Sequence, residues 1–160
     1  LLSNGGFEAN SGDGACWQLN TPVGGSAVII NNDADTGTYS AKLTTANAQV
    51  PNLKQERFAQ SIAGNQGVQV TFRYKVTLAF VDGSILLVFA FSEFTTAGAV
   101  QHDLGNADVS TLDVWQTYTG TFTTDPGIEE GISLLIQATC AAIETCAGEV
   151  IIDNVVVTEL

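Results

Sequence analysis

The sequence predicts an all-β fold, an antiparallel β-sandwich or jelly roll. Three observations carry this. Amphipathic helical periodicity is almost absent. Short runs rich in Val, Ile, Thr and Phe are separated by Gly, Asn and Asp clusters. One segment, 68–76, alternates strictly between apolar and polar residues.

Taken in order, the expected strands are Ala27–Ile30, Ser40–Thr45, Glu56–Ile62, Val68–Ala79, Ile85–Phe94, Thr117–Thr123, Ile132–Ala138 and Glu149–Glu159. In the fourth, Val68, Val70, Phe72, Tyr74 and Val76 share one face and are read as core. Gln69, Thr71, Arg73 and Lys75 share the other. The fifth, ILLVFAFSEF, is apolar on both faces for most of its length. Such a strand lies centrally, with one side in the core and the other lining a groove or lying under a loop. In the seventh, Ile132, Leu134 and Ile136 are core, and Ser133, Leu135 and Gln137 face away. The last is apolar from Val150 to Val157 except at Asp153 and Asn154. Several short strands with turn signals between them suit a sandwich.

The 160 residues form one domain, long enough to bury roughly two-thirds of the unfolded surface without staples. No repeat or Pro/Ser-rich linker divides them. The chain contains no methionine and no signal peptide, so it reads as a module excised from a longer secreted protein. Hydrophobic residues make up 45%, yet no run approaches the ~20 residues of a membrane span. Seventeen acidic against five basic residues give a net charge of −12. That field opposes nucleic acid and anionic membranes, and carboxylates are ligands that calcium prefers. Of three cysteines, Cys140 and Cys146 lie in a small-residue loop that a local disulfide could close, leaving Cys16 over. Without a CxxC spacing, and with His102 the only histidine, thiolate ligation of a metal is not expected.

Carboxylates at the two chain ends need partners. Glu8 follows a buried-looking Phe7, and Asp153 interrupts an apolar strand. An ionised carboxylate there costs several kcal/mol unless a cation or strong donors neutralise it. First and last strands are often neighbours in a sandwich, so the two can meet. A third acidic cluster, Asp33 and Asp35, sits in a Gly-containing turn. Two readings stand: a calcium ion gathered by these oxygens, or Asp153 bonding amides at a strand bulge with Asp33 and Asp35 merely shaping a turn.

Five segments, LLSNGGFEANSG before Trp17, DADTGTYSAKL at 33–43, AQSIAGNQGVQVTFRYK at 59–75, WQTYTGTFTT at 115–124 and VIIDNVVVTEL at 150–160, occur in this order along the whole chain. Together they resemble the galactose-binding-like jelly rolls of carbohydrate-binding module families 4, 9, 16 and 22, with family 16 nearest. The resemblance implies a non-catalytic polysaccharide-binding module, monomeric and secreted, appended to a polysaccharide-degrading enzyme. It also implies a structural calcium held by the side chains of Glu8, Asp35 and Asp153 and the carbonyls of Gly6 and Thr38, with Asp33 as the alternative to Asp35. The ligand face would carry Arg73 and Lys75 where relatives often have an aromatic on that strand, which tilts the expectation toward uronate or sulfate groups.

Sugar binding needs aromatic faces and planar polar side chains. Trp17, in a Gly/Asn/Thr-rich stretch, either projects from a loop toward sugar or caps the core. Trp115, after the polar stretch 105–113, has the same two readings. Gln137 is a further hydrogen-bonding candidate. No catalytic constellation is legible: His102 lies in a Gly- and Asp-flanked loop, and no serine has a nucleophile setting. The competing class is a calcium-stiffened spacer or adhesin module that binds no glycan.

Overall fold

A computed structural model describes all residues except 13, 47, 96–97 and 141–145. The described residues form ten strands: β1 (Gln18–Asn20), β2 (Ser26–Ile30), β3 (Ser40–Ala46), β4 (Asn52–Phe58), β5 (Gly67–Leu78), β6 (Ile85–Phe94), β7 (Gly98–Ala107), β8 (Gln116–Thr123), β9 (Ile132–Thr139) and β10 (Ala147–Glu159). A short 3-10 turn, Ala9–Ser11, precedes them.

Two five-stranded sheets result, with orders β1-β4-β9-β6-β7 and β2-β3-β10-β5-β8. All strand pairs are antiparallel. The expected all-β sandwich is the observed one. Its interior is built from the alternating residues read as core. Val68, Val70, Phe72, Tyr74 and Val76 of β5 face Leu134 and Ile136 of β9 and Leu86 and Val88 of β6 within one apolar cluster. Phe72 stacks on Tyr118 at 4.7 Å between ring centroids and meets Tyr74 edge-on at 5.9 Å.

Three elements differ from expectation. β4 begins at Asn52 rather than Glu56, because inward-facing Gln55 breaks its apolar alternation. Gln55 is only 3% exposed and is satisfied by the backbone of Ser3, donating at 2.8 Å to its carbonyl and accepting at 3.0 Å from its N–H. A bulge between Gln55 and Phe58, with Arg57 at φ 49°, then ends regular pairing where the strand was expected to start. β1 is only three residues long. β7 is a polar edge strand whose two glycines and Asp103 read as a loop, yet an edge tolerates such residues. Cys140 and Cys146 are joined as a disulfide, while residues 141–145 of that ring lie outside the described set. Cys16 is free and exposed.

Candidate functional site

The two ends of the chain lie side by side, Val155 N–H donating to the Gly5 carbonyl at 2.9 Å and the Leu1 ammonium to the Val157 carbonyl at 2.9 Å. Asp153 lies on the outer side of β10, fully buried beneath the 33–39 loop. Its Oδ2 accepts from the N–H groups of Asp35 (2.9 Å) and Thr36 (3.1 Å), and its Oδ1 from that of Asn154 (2.7 Å). Burial pushes the Asp153 carboxyl above the ordinary range, against these three amide bonds, and the Asp35 charge adds to the rise. Glu8 grips the other end of the same loop, its Oε1 accepting from Thr38 N–H (2.8 Å) and Tyr39 N–H (2.7 Å). Gly37, at φ 71°, leaves room for that grip, since a Cβ there would collide with Glu8. Gly6 sits between the two acids: a Cβ on it would stand 3.8 Å from Asp153 Oδ1 and 3.9 Å from Glu8 Cγ.

Asp35 is turned elsewhere. Its carboxylate takes both Nε (3.1 Å) and Nη2 (3.2 Å) of Arg73, and Nδ2 of Asn154 at 3.2 Å. Among the described residues no three His, Cys, Asp or Glu side chains form a ready metal cage. Arg73 holds both oxygens of Asp35 and backbone amides bond both oxygens of Asp153, so a hard cation here would have to draw on Glu8 and on backbone carbonyls of these turns as well. β10 does carry a bulge after Asp153, with Asn154 at φ 50°, so the amide-bonding reading of Asp153 is also physically present.

Arg73, Lys75 and Trp115 come together on the outer face of the β5 sheet, but not as a free cationic groove. Lys75 pairs with Asp33, and its ammonium lies 5.1 Å from the Trp115 ring centroid. Arg73, besides Asp35, donates to Thr117 Oγ1 (2.8 Å) and to the Trp115 carbonyl (3.3 Å). Both cations therefore fasten the 33–38 loop and the start of β8 to the sheet. Trp17, expected as a sugar platform or a core cap, is a core residue. It is 7% exposed, packs on Phe7 at 5.4 Å and donates its indole N–H to Asn4 O at 3.0 Å, so neither ring face is open to a sugar. Its Gly-rich surroundings looked like a loop because the N-terminal segment is held by turns rather than by a strand.

Gln137 lies on the other sheet, among residues sequence reading did not single out. Across the β4 sheet, strand register sets Gln18, Lys54, Leu135, Phe89 and Asp103 in one row. Asn20, Asn52, Gln137, Leu87 and Asn106 form the next, and Ser133, Phe91 and Gln101 a third. Alternation puts these on the outward face, opposite core residues Leu53, Leu134, Ile136, Val88 and Ala90, although Ser133 is fully buried there and donates to Glu93 Oε1 at 2.6 Å. Leu87, Phe89, Phe91 and Leu135 are half-buried there, an apolar strip flanked on both sides by amides and charges. On the β4 flank, Glu56 accepts from Lys54 and, at 2.9 Å, from Gln18 Nε2; these bonds hold its carboxyl below the ordinary range. On the β7 flank, Asp103 Oδ1 accepts from Gly105 N–H at 2.8 Å. Gln137 itself donates to Thr139 Oγ1 at 2.9 Å. The signal was present in ILLVFAFSEF, whose second apolar face is this strip.

His102 also differs from expectation, since it lies on β7 and points inward. Its Nε2 is 2.9 Å from both Ser92 Oγ and Asp125 Oδ2. A nucleophilic triad uses two different ring nitrogens and an accessible hydroxyl, whereas Ser92 is fully buried. The cluster ties β6, β7 and the connection after β8 together.

No family model matches the chain. No curated protein matches it either. Solved structures do. The enzymatically active domain of bacteriophage CBA120 tailspike protein 4 superposes with a TM-score of 0.72 at 16% identity, over 99% of this chain and 21% of that one. A family 16 carbohydrate-binding module gives 0.64 at 17%, over 99% of each chain. The CBM22-1 xylan-binding domain of Paenibacillus barcinonensis Xyn10C gives 0.59 at 14%, over 89% of this chain and 85% of that one. At these identities the likeness is one of fold, the β-sandwich of carbohydrate-binding modules.

Proposed function

We propose that this chain is a non-catalytic module that binds a polysaccharide on the outer face of the β4 sheet. One observation carries the reading: the half-buried strip of Leu87, Phe89, Phe91 and Leu135, set in rows that end in Gln18, Asn20, Gln101 and Asp103. Apolar side chains meet the C–H faces of sugar rings, and amides and carboxylates meet hydroxyls. A row across five strands, four spacings of ~4.8 Å, is ~19 Å wide, room for several linked rings. The shared fold with a xylan-binding module supports this reading. An anionic ligand is not carried forward, because the cations that suggested it are paired with Asp33 and Asp35.

In this reading a calcium ion braces the fold through Glu8, Asp153 and the carbonyls of Gly6 and Thr38, joining both chain ends to the 33–39 loop. Modest single-site affinity, raised by tethering, suits a module attached to a secreted catalytic domain. Native electrophoresis through gels containing xylan, β-1,4-galactan or glucomannan is the test. Retardation by at least one polymer supports the reading, and unretarded migration in all of them favours the spacer alternative.

A further inference from the structure

We propose that Asp103 makes this face select against anionic chains, so that its ligand is an uncharged polysaccharide; the inference rests on the binding reading above. All five basic residues already have carboxylate partners: Lys42 with Glu149, Lys54 with Glu56, Arg57 with Glu130, Arg73 with Asp35 and Lys75 with Asp33. Among the described residues, a uronate or sulfate on a bound chain would therefore meet no lysine or arginine without a carboxylate partner. The one cation in the central row, Lys54, is neutralised by Glu56, and Gln18 fixes that carboxylate from the other side.

Asp103 supplies the opposite charge with no compensation of its own kind. It is exposed and stands beside Phe89 in the central row. The Gly105 N–H anchors one carboxylate oxygen, so the group is oriented rather than free to swing away. To a neutral sugar this carboxylate is an acceptor for a hydroxyl proton, a charge-assisted bond. To a uronate it is a like charge at contact distance. Repulsion between unit charges at ~4 Å in a water-like medium changes affinity roughly fivefold, and more as the contact sheds water. Because Asp103 is solvent-exposed, salt must screen this discrimination.

The test compares wild type and Asp103→Asn for affinity to polygalacturonate and to the neutral polymer that retards the protein most, at low and high salt. Asn keeps the oxygen that accepts from Gly105, and thermal unfolding checks that the fold is intact. The expected result is strong preference of wild type for the neutral polymer, with the polygalacturonate-to-neutral affinity ratio rising roughly fivefold in the variant and also rising with salt in wild type. An unchanged ratio in the variant, or wild type binding polygalacturonate as well as the neutral chain, overturns the selection. Wild type binding neither polymer overturns the binding reading itself, which keeps the two failures apart.

Discussion

Trp17→Ala separates a core tryptophan from a sugar platform, because the two roles predict opposite outcomes. Trp17 is only 7% exposed, and its ring rests on fully buried Phe7. Truncation would open a cavity beneath the N-terminal segment and remove one of the two donors to the Asn4 carbonyl, which would keep only the Phe7 N–H. Large-to-small changes of Trp in cores cost about 3–5 kcal/mol. For a chain of this length each kcal/mol lowers Tm by roughly 2–4 °C, so a drop of roughly 6–20 °C is expected. Differential scanning calorimetry gives the Tm, and gel retardation well below the variant's Tm gives binding. The variant should unfold early yet be retained as wild type is. An unchanged Tm with lost retention would refute the packing argument.

Further outcomes follow from the same contacts. Chelation should lower Tm: an ion at a hundredfold over its Kd contributes about 2.7 kcal/mol, or roughly 5–10 °C here, and an unmoved Tm in chelator sinks the calcium proposal. Arg73→Ala should cost roughly 1–3 kcal/mol by releasing Asp35, Thr117 and the Trp115 carbonyl, with polysaccharide retention unaffected. Lost retention at unchanged stability would show that Arg73 meets the ligand after all. Burial raises the Glu149 carboxyl, but hydrogen bonds from Thr77, Thr44 and Lys42 outweigh it and leave the group below its ordinary 4.5. A lowered carboxyl contributes stability that is full above 4.5 and is lost as pH falls through the folded value. Glu149→Gln should therefore be less stable than wild type at neutral pH and lose less stability on acidification below 4.5, as followed by urea unfolding.

Alternation was legible wherever one face of a strand is apolar and the other polar. β5 shows it most clearly, and its core face is the one read from Val68 to Val76. The need of Asp153 for partners was legible too, since an acid in an apolar strand must be satisfied, and it found the amides of the 33–39 loop, which exposed Glu8 also binds. What stayed hidden depends on pairing between distant segments. β7 looked like a loop because an edge strand tolerates Gly105 and Asp103, so the row that places Asp103 beside Phe89 could not be drawn. Arg73 and Lys75 looked free because their partners, Asp35 and Asp33, lie some forty residues away and meet them only once the loop folds over β10. Trp17 was misplaced for a related reason. Its cover comes from Phe7 and Asn4, in a segment with turns and no strand pattern.

Phe89 stands at the middle of the strip on β6 and β9 proposed to bind polysaccharide, between Leu135 and Asp103. Isothermal titration of wild type and Phe89→Ala with an oligosaccharide of the best-retarding neutral polymer tests that proposal most directly. Removing a central aromatic contact is expected to cost roughly 2 kcal/mol, about thirtyfold in Kd. Because Phe89 is half-exposed on an outward face, Tm should fall far less than in Trp17→Ala. Equal affinity of the two proteins would contradict the assignment of this face.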